Sequence, residues 1–189
     1  MGRHRKLLPV GELPIVGGAL CLDLVNTTGA RESRVPRERL KTDADLRVWA
    51  HRVGLAESGR ANLARALELR ELLYAVLCPL ADGAEPSPDA VAALSDWWRA
   101  ERSRRDLVRR DGVFELSLQT SAEDPDAMLW PIVASAVELL TSDRLARLKR
   151  CHECDWLFLD ESKNGSRTWC KKDCGDRARA RRHYERVRR

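Results

Sequence analysis

The sequence predicts a mainly α-helical chain with one small β-hairpin, closed by a compact C-terminal module organised around cysteines. Three observations carry this: apolar residues recur at the helical period in several segments, one segment alternates after Asp111-Gly112, and four of six cysteines fall between Cys151 and Cys174. The chain has 189 residues, room for one ordinary domain and a small module. With 43% hydrophobic and 33% charged residues it is too apolar for a wholly disordered chain and too charged for a membrane bundle. No run approaches the roughly 18 apolar residues of a spanning helix. Glu12, Pro14 and Asp23 interrupt the apolar stretch that a signal peptide would need, so a cytoplasmic protein is expected.

From the N-terminus, Pro14 to Thr28 fits a short helix with Leu20, Cys21, Leu24 and Val25 on one face and Asp23, Asn26 and Thr27 elsewhere. Thr42 or Asp43 caps a helix carrying Leu46, Trp49, Ala50 and Val53, with Gly54 placed to end it. A longer, central helix should run from about Gly59 to Ala81. Asp82 to Pro88 is a turn-rich connection in which Ser87 and Pro88 supply a cap and a first-turn proline for a helix bearing Val91, Leu94, Trp97 and Trp98. The hairpin follows at Asp111-Gly112. Asp124-Pro125 then starts a helix through about Leu140, kinked at Pro131, and Ser142 caps a short helix ending at Arg150. Residues 1–145 read as a helical domain and 146–189 as a separate module.

In that module Cys151-x2-Cys154 is followed, fifteen residues later, by Cys170-x3-Cys174. Four soft thiolates in two close pairs are the ligand set of a closed tetrahedral zinc site, and a reducing compartment favours metal over disulfides. A tight knuckle, a short strand over Trp156 to Leu159 and a helix after the second pair are the order of a treble-clef-like zinc finger. About forty residues cannot bury enough surface to fold alone, so one Zn2+ must contribute on the order of 10 kcal/mol. His152 lies outside the ligand set. Four thiolates leave no open position for water, and no nucleophile–base pattern, phosphate loop or carboxylate pair appears elsewhere, so no enzyme is expected.

The net charge of +5 is located: Gly175 to Arg189 carries seven arginines against Asp176 and Glu185, and the rest of the chain balances. On a helical wheel Ala180, Tyr184 and Val187 form a narrow apolar stripe suited to packing on the knuckle. Arg177, Arg181 and Arg188 lie on one flank; Arg179, Arg182, Arg186 and Arg189 spread over the far side. Such a comb matches phosphates, and about five contacts would give a salt slope near −4.5. Its plain alternative is a solvated basic tail.

Cys151-x2-Cys154, Leu157-Phe158-Leu159-Asp160, Ser162-Lys163-Asn164, Ser166-Arg167, Trp169-Cys170 and Cys174-Gly175-Asp176-Arg177 resemble the CGNR-type zinc finger. Gly17-Gly18, Leu20-Cys21-Leu22-Asp23 and Val25-Asn26-Thr27 resemble the opening of the ABATE domain that precedes it. The resemblance implies a bacterial stress-responsive transcription regulator, with the finger as DNA binder, Lys163, Arg167 and Arg177 as leading contacts beside Arg179, Arg181 and Arg182, and the larger domain as ligand sensor. The family's Asn after Cys-Gly is Asp176 here, which suits a helix N-terminus but repels a phosphate.

Asp23, Asn26 and Thr27 have two readings: they orient a small-molecule effector, or they cap and bond backbone. Trp49, Trp97, Trp98 and Trp130 read as core. DNA is the expected partner, with no membrane; one finger offers few base contacts, so specific recognition would require a homodimer. The alternative is a zinc-stabilised protein-interaction or RNA-binding module.

Overall fold

A computed structural model describes residues 8–31, 37–55, 60–121 and 123–188. At its centre is the short helix α1 (Leu20–Val25), whose residues Cys21 to Val25 are all buried. A helix apolar on nearly every side has to sit inside, and α1 packs against α3 (Leu63–Ala81) and α5 (Trp130–Leu140). Between them in sequence, α2 (Asp43–Arg52) starts in a capping box: Thr42 Oγ1 accepts from the Asp45 amide at 3.1 Å and Asp45 reaches back to the Thr42 amide at 3.0 Å. Asn62 caps α3; the expected start at Gly59 lies outside the described residues. Ser87 caps α4 (Pro88–Arg102), with Pro88 in the first turn where its missing N–H costs nothing.

The hairpin forms as expected, β1 (Arg105–Arg110) against β2 (Val113–Leu118), with Asp111 at φ 49° and Gly112 at φ 85° making the turn. It stands off the core, leaving Leu107, Phe114 and Leu116 more than half exposed.

Three elements differ from the sequence reading. Residues 125–129 are turns, and α5 begins only at Trp130, which places Pro131 in a first turn instead of a kink. Asp124 holds these turns by accepting from the Asp126 amide, Trp130 Nε1 and Arg104. Ser142 makes no side-chain cap: its hydroxyl donates back to the Leu139 carbonyl at 3.1 Å, and the chain continues into a 3-10 helix, Asp143–Arg147. The residues expected to close that helix are strand β3 (Leu148–Arg150), paired antiparallel with β4 (Leu157–Leu159). Third, α6 (Lys172–Val187) buries only Cys174, Gly175 and Ala178; its expected packing stripe is in solvent, Tyr184 69% and Val187 71% exposed. Only the first two turns of α6 reach the knuckle, and the rest projects beyond it.

Among the described residues one continuous apolar cluster runs from Leu22 and Trp49 through Leu73 and Ile132 to Trp156, Phe158 and the cysteine sulfurs. Trp49, Trp97 and Trp130 are buried in it and Trp98 packs against it. No helix among the described residues is long and apolar enough to cross a membrane.

Candidate metal centre and nucleic-acid interface

A knuckle places the first cysteine pair. The Asp155 amide donates to the Cys151 carbonyl at 3.0 Å, Asp155 takes φ 62° to close the turn, and the Cys151 amide returns to the Trp156 carbonyl at 2.8 Å. Cys170 precedes α6 and Cys174 sits in its first turn. The four ligating atoms lie within 4.8 Å of one another, with Sγ–Sγ separations of 3.6 Å (Cys154–Cys170) and 3.7 Å (Cys170–Cys174 and Cys154–Cys174). A tetrahedron with Zn–S bonds of about 2.3 Å has edges of about 3.8 Å, so the geometry fits zinc. The sulfurs also need a cation: contact with Cys154 first pushes Cys151 to the thiolate side, while contact with Cys151 drives Cys154 and Cys170 strongly up, so they cannot all ionise unaided. His152 is exposed and outside the cluster.

Around the sulfurs a second layer fixes them. Arg177 Nη2 donates to Cys174 Sγ at 2.9 Å, and its Nε faces Glu153 Oε1 at 3.4 Å; Arg181 Nη1 takes Glu153 Oε2 at 2.8 Å. Asp160, fully buried, accepts from Lys149 Nζ, the Ser162 amide and hydroxyl, and the Arg167 amide. Burial alone would raise its pKa; these donors outweigh it and hold the carboxyl well below the usual range. Arg167 turns its guanidinium inward to the Cys170 carbonyl at 2.6 Å and over the Phe158 ring. A side chain at Gly175 would put Cβ 3.3 Å from the Trp169 ring.

Strand β4 has β3 on one edge and the N-terminal segment on the other. Asn26 supplies a substitute strand there: its Oδ1 accepts the Leu157 amide at 2.9 Å and its Nδ2 donates to the Leu157 carbonyl at 2.8 Å. Two residues on, the Leu159 amide donates to the Gly17 carbonyl, and Trp156 Nε1 donates to the Thr28 carbonyl at 2.9 Å. Asp23 accepts the Gly17 amide at 2.9 Å, holding the loop that reaches β4. Thr27 Oγ1 donates to the Leu24 carbonyl and accepts from Arg70, itself paired with Glu38. Asp23, Asn26 and Thr27 are thus all bonded inside the protein, and none lines the cleft beside Cys154 or the groove along α6. Arg31 pairs with Glu71 over the Tyr74 ring, and His51 is exposed.

A family model described as "Putative stress-induced transcription regulator", ABATE, matches residues 18–143, and one described as CGNR zinc finger matches 147–187. The chain belongs to the ABATE family. No curated protein matches it. In this ABATE protein the four cysteines form the finger's single structural zinc site. The finger's naming tetrad is here Cys174, Gly175, Asp176 and Arg177: a ligand, a close approach to Trp169, a carboxylate paired with Arg179, and a donor to sulfur.

The cations anticipated as nucleic-acid contacts divide into three groups. Arg177 and Arg181 are tied to Glu153. Lys163 lies apart, in a depression with Arg144 and Arg147. Arg167 and Arg179, with Lys171 and Lys172, line a shallow groove over Gly175 and Trp169, and Arg179 continues it along α6 to Arg182 and Arg186. Lys172 was missed by the wheel, which began after Cys174; extended one turn back, the wheel puts it a heptad before Arg179. Glu153 carried no local signal, because its partners lie 24 and 28 residues away, and of Asp160's partners only Ser162 is near it in sequence.

Proposed function

We propose that this ABATE protein is a zinc-dependent DNA-binding regulator that meets the phosphate backbone along the strip Arg167, Lys172, Arg179, Arg182 and Arg186. The observation that carries the reading is the geometry of α6: its first two turns are pinned by Cys174 and Arg177 at the metal centre, and its outer turns project their cations clear of the core. A helix held at one end and free along the rest can lie in a groove or ride the backbone without reorganising the domain. Its counterweight is Asp176, which holds Arg179 and leaves Arg182 and Arg186 as the stronger phosphate contacts. The test is fluorescence anisotropy against fragments of the host genome, with and without a chelator: affinity should fall steeply when zinc is removed, and unchanged affinity refutes the mechanism.

A second reading has its own support. Ala180, Tyr184 and Val187 make an uncovered apolar stripe on the same helix, as a protein-interaction element or a second copy of the chain would require. The ratio of affinity for preferred over random sequence at physiological salt separates the two, since charge attraction alone gives none.

A further inference from the structure

One of the four sulfurs is open to chemistry that the others escape. Cys151, Cys170 and Cys174 are buried, whereas Cys154 is partly exposed. Arg177 donates to Cys174 Sγ, which draws electron density from that sulfur and lowers its nucleophilicity. Among the described residues no guanidinium or ammonium group is seen donating to Cys154 Sγ, which meets the sulfurs of Cys151, Cys170 and Cys174.

Cys154 also lines a cleft of about 150 Å³ between the finger and the N-terminal segment, walled by Leu13, Pro14, Arg39, Trp156 and Lys171. At about 30 Å³ per water, that admits a reagent of a few heavy atoms. Arg39 and Lys171 both stand over the Trp156 ring, at 5.5 and 5.1 Å, and the Arg39 Nε is buried with no partner. The same wall carries Glu153, Asp155 and Asp173 beside Arg39 and Lys171, and its cations stabilise an oxyanion leaving from the peroxide.

We propose that Cys154 is the site at which small hydroperoxides modify this protein and release its zinc. The Cys154 thiolate attacks one oxygen of the peroxide; the S–O bond forms, the O–O bond breaks, and the alkoxide or hydroxide leaves and takes a proton from water. Sulfur is oxidised by two electrons to a sulfenic acid and the peroxide is reduced. Cys170, 3.6 Å away and with no arginine donor to its sulfur among the described residues, then attacks the sulfenic sulfur; the S–S bond forms, the S–O bond breaks and hydroxide leaves. Zinc loses two of four ligands, and the first turn of α6 loses its anchor.

This rests on the four sulfurs holding zinc and is independent of DNA binding. The test therefore uses the zinc-loaded full chain and no nucleic acid. Limiting hydrogen peroxide is added, zinc release is followed with a colorimetric chelator, and modified sulfurs are mapped by differential alkylation and peptide mass spectrometry. The expected first products are Cys154 sulfenic acid and the Cys154–Cys170 disulfide, formed in step with zinc release. Cys154→His keeps a ligand set that zinc accepts, and should slow release by about tenfold or more. A first adduct on another member of the four, parallel oxidation of all of them, or undiminished release from zinc-loaded Cys154→His overturns the proposal. Should the variant not fold, the mapping in the unsubstituted chain decides. A protein purified with no zinc would instead overturn the metal reading.

Discussion

Arg177, expected from the sequence as a DNA contact, is placed by the structure beside a zinc ligand. In an arginine-rich stretch every guanidinium resembles a phosphate contact, and this one also donates to Cys174 Sγ and faces Glu153. Outer partners of metal ligands typically govern affinity by 10- to 100-fold, so Arg177→Ala should weaken zinc binding by about that factor in a chelator competition, while Arg182→Ala leaves it unchanged. Asn26 makes the same point on the opposite side of β4. Asn26→Ala strands a buried amide and a buried carbonyl of Leu157, and denaturant unfolding should show a loss of about 3 kcal/mol. Asp23 adds a pH dependence: burial, partly offset by the Gly17 and Val16 amides, raises its carboxyl to about 6 from 3.8. Below the lower value both folded and unfolded chains hold the proton. Between the two values only the unfolded chain ionises, so stability falls as pH rises and the loss is complete above about 6. Asp23→Asn should flatten that part of the profile, measured as the difference between the two proteins' midpoints across pH 4 to 7.

At the level of elements, the sequence was most legible where local chemistry decides the outcome. Thr42 and Ser87 cap what they were expected to cap, and Asp111-Gly112 turns the chain as its φ preferences require. The four cysteines were legible for a related reason, since metal ligands repeat at spacings set by the knuckle and the helix turn. Strand β3 was not, because three residues have no period of their own and become a strand only through β4, nine residues later. The stripe on α6 misled because amphipathicity says that a face can be covered and not that anything reaches it. For the same element the salt dependence of DNA binding is a sharp check. Five phosphate contacts give a slope of log affinity against log salt near −4.5; the double variant Arg182→Ala, Arg186→Ala should bring it to about −2.7, whereas Lys163→Ala should leave it where it is. An equal effect from Lys163 would move the interface to the Arg144 and Arg147 side.

For the whole molecule the decisive relation is between the zinc finger and the helices. Two units joined by a linker would respond to zinc removal separately: the finger would melt and the helical part would persist. Here β4 is hydrogen-bonded on both edges, to β3 and to the loops around α1, and the apolar cluster passes from α3 and α5 into Phe158 and the sulfurs without a break. Asn26, Gly17 and Thr28 hold backbone and indole groups that exist in register only while the knuckle is closed. Loss of zinc therefore leaves buried polar groups of α1's flanks without partners, which a low-dielectric interior does not tolerate. The expected result is a single unfolding transition for the whole chain that moves with free zinc by mass action. At a thousandfold excess over the dissociation constant the metal contributes about 4 kcal/mol, or a rise of about 10 °C in Tm for a chain of this size. Calorimetry with far-UV and tryptophan signals recorded together makes the measurement. A chelator that removes a small early transition and leaves the main one in place would show that finger and helices are energetically independent, and that the hydrogen bonds joining them carry little of the stability.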